Sequence, residues 1–389
     1  MIPRPSMRAL LHELKGREKE MVRLLGRFVR CESPSHNKSA VDAMGQTVAE
    51  EWRQRGAKVR ILRQAKRGNH VRAEMWLDEG RAANALGQIL VLGHLDTVYP
   101  TGTLAKMPFR VAGGRAWGPG TFDMKAGLVM ALYAADALRT AGIRPSKRLV
   151  FLWTSDEEIG SGTSRQLIES EARGSDAVLV LEPSLGPDGR LKTSRKGVGS
   201  AELIVSGRAA HAGINPRDGV NAVHELALQI DRLTKMNDSR LGVTVQATVI
   251  SGGTVSNVIP DHARAEIDLR FTRLADARPL DQRLHSLRPI LKGAKLEVRG
   301  GVNRPPLERT AAVSALFRHA QSLMLECGLS LGEAATGGGS DGNFTSAMGV
   351  PTLDGLGAVG GGAHTPHEHI VIRKFPERAA LLAGLLVTL

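Results

Sequence analysis

Cysteine is nearly missing from this 389-residue chain, which holds only Cys31 and Cys327. Two thiols cannot build a disulfide framework or a thiolate zinc site. Long apolar runs are missing too, and none approaches the ~18–20 residues that a bilayer-spanning helix needs. The start, Met1-Ile2-Pro3-Arg4-Pro5, leads through Leu10-Leu11-His12 into the charged run from Lys15 to Glu20, so it lacks the apolar core of a secretory signal. These absences predict a cytoplasmic, enzyme-sized protein with no membrane partner. What is present is ordinary globular composition, 42% hydrophobic and 23% charged. The length suits two domains of roughly 100–200 residues each.

Acidic residues are in deficit, 39 against 52 Lys and Arg, giving a net charge of +13. Such a balance admits nucleic acid, anionic membrane or a small acidic substrate as partner. The densest basic stretch holds Arg53, Arg55, Lys58, Arg60, Arg63, Lys66, Arg67 and Arg72. It reads as the solvated side of a helix end and two strands. Its only aromatics are Trp52 and Trp76, too few for stacking on single strands, so nucleic acid is not an expected partner.

Leu10, Leu11, Leu14, Met21, Leu24, Leu25 and Phe28 recur at helical spacing, and Ala57 to Ile61 alternates as a strand should. Three short apolar runs follow: Ile89 to Leu92, Leu149 to Trp153 and Ala177 to Leu181. Uninterrupted runs of this length suit strands buried on both faces. The intervening stretches, Met124 to Leu138 and Ser164 to Ala172, read as helices, which implies crossovers and a largely parallel sheet. From about Lys196 the pattern becomes alternating, in Ala201 to Val205, Val243 to Ile250 and Ala265 to Phe271, with helices expected over Gly219 to Leu233 and Leu280 to Leu291. The expected fold is α/β: a mixed, mostly parallel sheet domain with helices on both faces, formed by residues 1–195 and 307–389. An α+β domain over 196–306 is inserted in it.

Each of the three apolar runs ends in candidate metal ligands: His94 and Asp96, then Glu157 and Glu158, then Glu182. The carboxyl ends of strands in open parallel sheets border the ligand crevice, so these side chains should converge. Asp123 opens the helix after the first run. Singly, each has a plain structural reading, Asp123 as an N-cap and His94 as a core histidine. Together, carboxylates packed at adjacent strand ends repel unless cations neutralise them. Imidazole with carboxylates and no thiolate suits zinc, cobalt or manganese in a hydrolytic site, with acids enough for two ions sharing one aspartate. Asp96 lies two residues past His94 and can hold its ring. Glu157 and Glu158 cannot point the same way in extended chain, so one can ligate while the other serves as general base.

With those residues in view, the sequence resembles the two-zinc exopeptidases and deacylases that include glutamate carboxypeptidase, aminoacylase and the succinyl-diaminopimelate and acetylornithine deacylating enzymes. The matching segments are His94 to Pro100, Gly118 to Lys125, Ser155 to Ser161, Ser206 to Gly213, Ser256 to Pro260, Gly337 to Asp341 and His364 to Glu368. They cover the chain from about Leu24 onward, and their ordered set is far more specific than any one motif. The resemblance implies two zinc ions per subunit, bridged by Asp123, with His94 and Glu182 on one and Glu158 and His364 on the other. It implies Glu157 as general base, Asp96 as orienter of His94, and an inserted lid domain that forms a homodimer. From that domain His211 would stabilise the oxyanion across the dimer, while Asn257 and Arg270 clamp the substrate carboxylate beside Gly339. Asp96 to Pro100, Leu104 to Arg110 and Glu182 look most like the glutamate carboxypeptidase branch, cleaving a small substrate or short peptide with a free carboxylate. Aminoacylase-like deacylation or dipeptide cleavage is the alternative. Lys192 to Gly199 is more basic than that branch leads one to expect, which would either supply cations to an acidic substrate or form a solvated hinge.

A serine hydrolase is the rival reading, since Gly338-Gly339-Ser340-Asp341-Gly342 fits G-x-S-x-G, with Asp354 and His364 following. Glu333 to Thr336 makes a poor strand for such an elbow, and the acids at the other strand ends would be left without purpose. The formal G-x-G-x-x-G at Gly355 to Gly360 is not followed by a helix, which argues against nucleotide binding. A binding-only module would have no need of Glu157.

Overall fold

The computed structural model describes residues 6–75 and 87–389, so Trp76 and the opening Met1-Ile2-Pro3-Arg4-Pro5 lie outside the described residues. The chain divides into two compact units. One takes in the described residues up to Ser194 with Arg309–Ala335 and Ser340–Leu389; the other comprises Arg195–Glu308 and Thr336–Gly339.

The first unit is built on a six-stranded sheet in the order Lys58–Leu62, His70–Met75, Arg148–Thr154, Gln88–His94, Ala177–Val180, Thr352–Leu353. The last four run parallel, and the first two are antiparallel additions. Along each central strand alternate residues go to opposite cores. Ile89, Val91, Leu149, Phe151, Trp153 and Leu179 pack with helices Met7–Gly16, Ala126–Thr140 and Phe375–Thr388. Leu90, Leu92, Val150, Leu152, Val178 and Val180 pack with Ile168 and Ala172 of helix Arg165–Arg173 and with Phe344. Burial on both faces is why these strands read as unbroken apolar runs.

The helix that ends at the start of the basic run, Lys38–Gln54, buries Val41, Met44, Val48 and Trp52, and its N-cap Asn37 accepts the N–H of Ala40 at 3.2 Å. Trp52 is buried in the core, its ring tilted against that of Phe151 at 4.2 Å, rather than beside the basic run. That run is only partly a solvated face. Arg53, Lys58, Arg60, Arg63 and Lys66 are exposed, but Arg72 is buried between Glu74 and Glu171, and Arg55 pairs with Glu51 and Asp136.

The second unit carries an antiparallel sheet ordered Thr244–Gly252, His262–Phe271, Gly197–Ser206, Lys295–Arg304. One face buries Leu203, Val205, Ala265, Ile267 and Leu269 against Leu226 and Leu233 of helix Ala222–Thr234 and Leu280 and Leu284 of helix Leu274–His285. The other face is wetter, which produces the alternation of inward and outward residues along His262–Phe271. Two expectations need correction. The helix placed at Leu280 to Leu291 begins at Leu274 and ends at His285, carrying Pro279 inside it, and strand Lys295–Arg304 was not foreseen.

The basic segment at the unit boundary is no solvated hinge: Lys192 and Arg195 are buried. Within the second unit, Arg195 donates to the carbonyls of Gly338 and Gly339 at 3.0 and 2.9 Å, and Lys196 donates to that of Gly242 at 3.1 Å. Among the described residues no helix is long and apolar enough to cross a membrane.

Candidate metal centre

His94 closes the central parallel strand and is buried. Its Nδ1 lies 2.9 Å from the backbone carbonyl of Asp96, which can only accept, so Nδ1 carries the proton and Nε2 faces inward. Nε2 lies 3.2 Å from Asp123 Oδ1 and 3.5 Å from Glu182 Oε1. The carboxylate of Asp96 stands farther from the ring, at 3.5 Å, and is occupied elsewhere. It accepts the Ser35 hydroxyl at 2.7 Å and the backbone N–H groups of Glu157 and Glu158, each at 3.3 Å. Asp96 therefore orients His94 through its main chain and braces the glutamate turn through its side chain.

Asp123 does not cap a helix. The following helix begins at Ala126, and Asp123 sits in a non-helical link (φ −116°, ψ 94°) that includes a cis peptide to Met124. The link is held by Glu368, a buried residue not singled out from the sequence. One Glu368 oxygen accepts the N–H groups of Phe122 and Asp123 at 2.7 and 2.9 Å; the other accepts Gly120 N–H at 3.0 Å and the Tyr99 hydroxyl at 2.6 Å. Burial pushes the Glu368 carboxyl up to about 7 against the pull of these donors. Gly120 is required where it stands: its φ is +70°, and a Cβ there would meet Thr97 Cγ2 at 2.7 Å. Lys125, also buried, donates to the carbonyls of Phe28 and Cys31 at 3.1 and 2.7 Å. The only sequence signal for Glu368 was its place four residues after His364.

Glu157 and Glu158 lie on a single 3-10 turn, Glu157–Ile159, not in extended chain, yet they serve different neighbours. Ligand atoms of His94, Glu157 and Glu182 lie within 4.8 Å of one another, as do those of His94, Asp123 and Glu158. His364 Nε2 completes the second group, 3.4 Å from Asp123 Oδ2 and 3.3 Å from Glu158 Oε2. His364 is held at φ +61°, uncommon for a residue with a side chain. The His369 ring instead packs, tilted, against Trp117 at 4.5 Å. His94, Asp96, Asp123, Glu157, Glu158, Glu182 and His364 are thus brought to one place at the ends of the parallel strands.

The electrostatics are those of a cation site. Burial alone would raise Asp123, but contacts with His364 and His94 hold its carboxyl well below the usual range. Burial likewise works to lower His94, and Asp123, Asp96 and Glu182 overcome it and hold the imidazole above its ordinary value. Asp123 and Glu158 push His364 up to about 10. Glu158 is raised, first by burial and then by repulsion from Asp123. Its Oε1 is buried without a hydrogen-bond partner among the described residues, a costly state for an anion. With neutral imidazoles, the carboxylates of Asp123, Glu157, Glu158 and Glu182 carry the charge that two divalent cations would balance. Oxygen and imidazole donors of this kind fit zinc, cobalt or manganese.

In the second unit, strands Ala210–His211 and Val258–Ile259 pair and bring two expected residues near each other, with Ala212 N–H donating to Asn257 O at 2.9 Å. His211 Nδ1 accepts from the N–H groups of Gly213 and Ile214, both at 3.1 Å, so its ring proton resides on Nε2. The Arg270 guanidinium is held bidentately by Asp268 at 2.9 and 2.8 Å and donates to Gly337 O at 3.2 Å. A Cβ on Gly339 would come within 2.9 Å of Val198 Cγ2, so any side chain there would displace that residue.

The serine-hydrolase arrangement is not formed. Ser340 is fully buried and its hydroxyl donates to Asp354 at 2.5 Å, while His364 stands with Asp123 and Glu158.

Residues 90–388 match the model of the peptidase family M20/M25/M40. The chain is 34% identical over 307 residues to carboxypeptidase G2 of Pseudomonas sp. (strain RS-16), covering 77% of this chain and 74% of that protein. It is 31% identical over 326 residues to the succinyl-diaminopimelate desuccinylase of Burkholderia multivorans (strain ATCC 17616 / 249), covering 78% and 84%. Among solved structures, an M20 family metallo-carboxypeptidase from Sulfolobus solfataricus superimposes with a TM-score of 0.73 at 18% identity, covering 95% of this chain and 99% of that one, a likeness of fold.

Proposed function

The chain belongs to the peptidase family M20/M25/M40 and is a metallohydrolase, and on that premise we propose that it is a carboxypeptidase cleaving the amide bond to a C-terminal amino acid of the glutamate type. The observation that carries this reading is the joining of Glu157 to the cluster of His94, Asp123, Glu158, Glu182 and His364. A site built only to hold ions has no use for an additional carboxylate beside them. The 34% identity to a protein named carboxypeptidase G2 supports the choice of substrate half.

Asp123 would bridge two ions, with His94 and Glu182 holding one and Glu158 and His364 the other. Once held by these residues, divalent ions would polarise the scissile carbonyl and lower the pKa of water, towards ~7 for zinc. Glu157 accepts the proton of the attacking water and returns it to the departing amine. His211, protonated at Nε2, donates to the oxygen on which negative charge develops. Arg270 and Asn257 bind the terminal carboxylate, the planar guanidinium suiting a two-oxygen acceptor.

A homodimer through the second unit is part of the reading. Strand Thr244–Gly252 is an edge of its sheet, with Val249 47% and Ile250 59% exposed, and Val223 on the neighbouring helix is exposed as well. Unpaired edge backbone and exposed apolar side chains are features that a second copy covers. The relatives named desuccinylases favour a second reading, hydrolysis of an N-acyl amino acid by the same site.

The test is to strip the purified protein with chelator, restore it with zinc, cobalt or manganese, and assay N-acyl and peptidyl substrates ending in glutamate or in its C-terminal amide. Metal-restored cleavage confined to the free acids is expected. Chelator-resistant activity, or equal rates on the amides, would sink the proposal.

A further inference from the structure

Glu157 and Glu158 are carried by the segment between the end of strand Arg148–Thr154 and the start of helix Arg165–Arg173. Two buried aspartates hold this segment in addition to Asp96. Asp156 accepts the backbone N–H and the hydroxyl of Thr163 at 2.6 and 2.8 Å, and its own carbonyl accepts Ser161 N–H at 2.8 Å. Asp341 spans the segment from outside. Its Oδ2 accepts the Thr154 hydroxyl at 3.0 Å and its Oδ1 accepts the Ser161 hydroxyl. One carboxylate thus grips the chain three residues before Glu157 and three residues after Glu158.

Ser161 is fully buried and stands at φ +59°. Among the described residues only one other non-glycine residue has positive φ, and it is His364. Glycine adopts that region without steric cost, so a serine persists there only where its surroundings hold it. What glycine would lack is the hydroxyl, and that hydroxyl is the group Asp341 accepts. Asp341 is fixed in turn by its neighbour Ser340, whose hydroxyl donates to Asp354 at 2.5 Å and whose N–H donates to Asn343 Oδ1 at 2.9 Å. The motif from Gly338 to Gly342, which builds no nucleophile, supplies a clamp instead.

We propose that Asp341 and Ser161 are positioning residues for the reaction. They set the direction of the turn Glu157–Ile159 and so place Glu157 and Glu158 against their different neighbours in the cluster. The inference rests on the reading of Glu157 as base and Glu158 as metal ligand, and deepens it. Neither Asp341 nor Ser161 touches the reacting atoms. They act through the main chain, where Gly160 N–H donates to Glu157 O at 3.0 Å and Ser161 N–H to Asp156 O, so a shift at Ser161 passes directly to the turn. Misplacing a reacting group by about an ångström costs up to about 100-fold in rate. The residues proposed to hold the substrate carboxylate are untouched, so the loss belongs to kcat and not to KM.

The experiment compares Ser161→Ala, Ser161→Gly, Asp341→Ala and the double variant Ser161→Ala/Asp341→Ala with the wild type. It measures kcat and KM on N-benzoylglutamate with the metal-loaded protein, and zinc affinity by competition with a chromophoric chelator. Both Ser161 variants should lower kcat about tenfold or more, keep KM within about twofold, and weaken zinc binding about tenfold. Ser161→Gly relieves the backbone, so it separates the hydroxyl from the strain. A wild-type rate or an unaltered zinc affinity in that variant overturns the inference, as does a raised KM with unchanged kcat. Since Ser161 acts through Asp341, the double variant should be no slower than Asp341→Ala alone, and losses that multiply overturn the clamp. Should Asp341→Ala fail to fold, the two Ser161 variants decide. Glu157→Gln separates the two levels. If it is inactive while both Ser161 variants match the wild type, only this inference falls; if it keeps the wild-type rate, the reading of the base falls and the inference with it. Should the wild type cleave no N-benzoylglutamate, the substrate reading falls and zinc affinity alone decides the clamp.

Discussion

The Glu368 carboxylate accepts the backbone N–H of Asp123 at 2.9 Å, with those of Phe122 and Gly120 beside it. A residue from the far end of the chain thus fixes the loop that presents Asp123 to His94 and His364. Replacing Glu368 with Gln puts an amide donor against Gly120 N–H, leaving a buried donor unsatisfied at a cost of about 1–3 kcal/mol. Metal affinity should fall about 10–100-fold, the usual penalty for losing a residue that positions a ligand. Competition titration with a chromophoric chelator measures it, and an unchanged affinity would remove Glu368 from this role.

Glu157→Gln keeps the shape of the turn and removes the proton acceptor. Metal content should be unaltered while kcat falls by about 10²–10⁴. Mass spectrometry for bound metal and single-turnover kinetics together decide it. A rate near wild type sinks the assignment of the base.

Asp123 and Glu158 push His364 up to about 10, and His94 is raised too, so the metal-free protein holds protons that ligation must expel. Metal uptake at pH 7–8 should release about two protons per subunit, read by calorimetry in buffers of different ionisation enthalpy. Affinity should climb with pH until about 10. The sign for stability is the reverse. In the metal-free fold the raised His364 contributes fully below its ordinary 6.5, and that contribution is lost as pH rises through about 10. Metal-loaded protein should lack this slope.

Both oxygens of Asp268 and the carbonyl of Gly337 fix the Arg270 guanidinium, leaving one N–H each on Nη1 and Nη2 for a substrate carboxylate. Arg270→Ala should raise KM for substrates with a free terminal carboxylate by about 10-fold or more, given ~1.5–3 kcal/mol for hydrogen bonds to charged groups, and change kcat little. Steady-state kinetics on acid and amide pairs check it. An unchanged KM excludes the clamp.

Much of this architecture was legible because burial on two faces writes itself plainly. Ile89 to Leu92 and Leu149 to Trp153 are apolar throughout since both sides of the sheet are covered, and the acids at their ends converge because parallel strands point the same way. The part Glu368 plays was not legible, because apart from the Tyr99 hydroxyl its partners are main-chain N–H groups some 250 positions away, which leave no side-chain pattern. Strand Lys295–Arg304 was hidden by Gly300 and Gly301, which interrupt its alternation. Helix Lys38–Gln54 was legible only at its basic end, although Asn37, Val41, Met44, Val48 and Trp52 also marked its start and buried face. Lys192 and Arg195 misled in the opposite sense, as basic residues whose charges are spent inside the fold.

Helix Met7–Gly16 shares one core with helix Phe375–Thr388, so the sheet-bearing unit is assembled from pieces that leave the ribosome far apart in time. The inserted unit is almost wholly one continuous stretch and can acquire its fold while synthesis proceeds. The hydrolytic centre is therefore the last part of the molecule to mature, and a nascent chain stalled before residue 375 carries every acid of the metal cluster yet no finished interior to hold them.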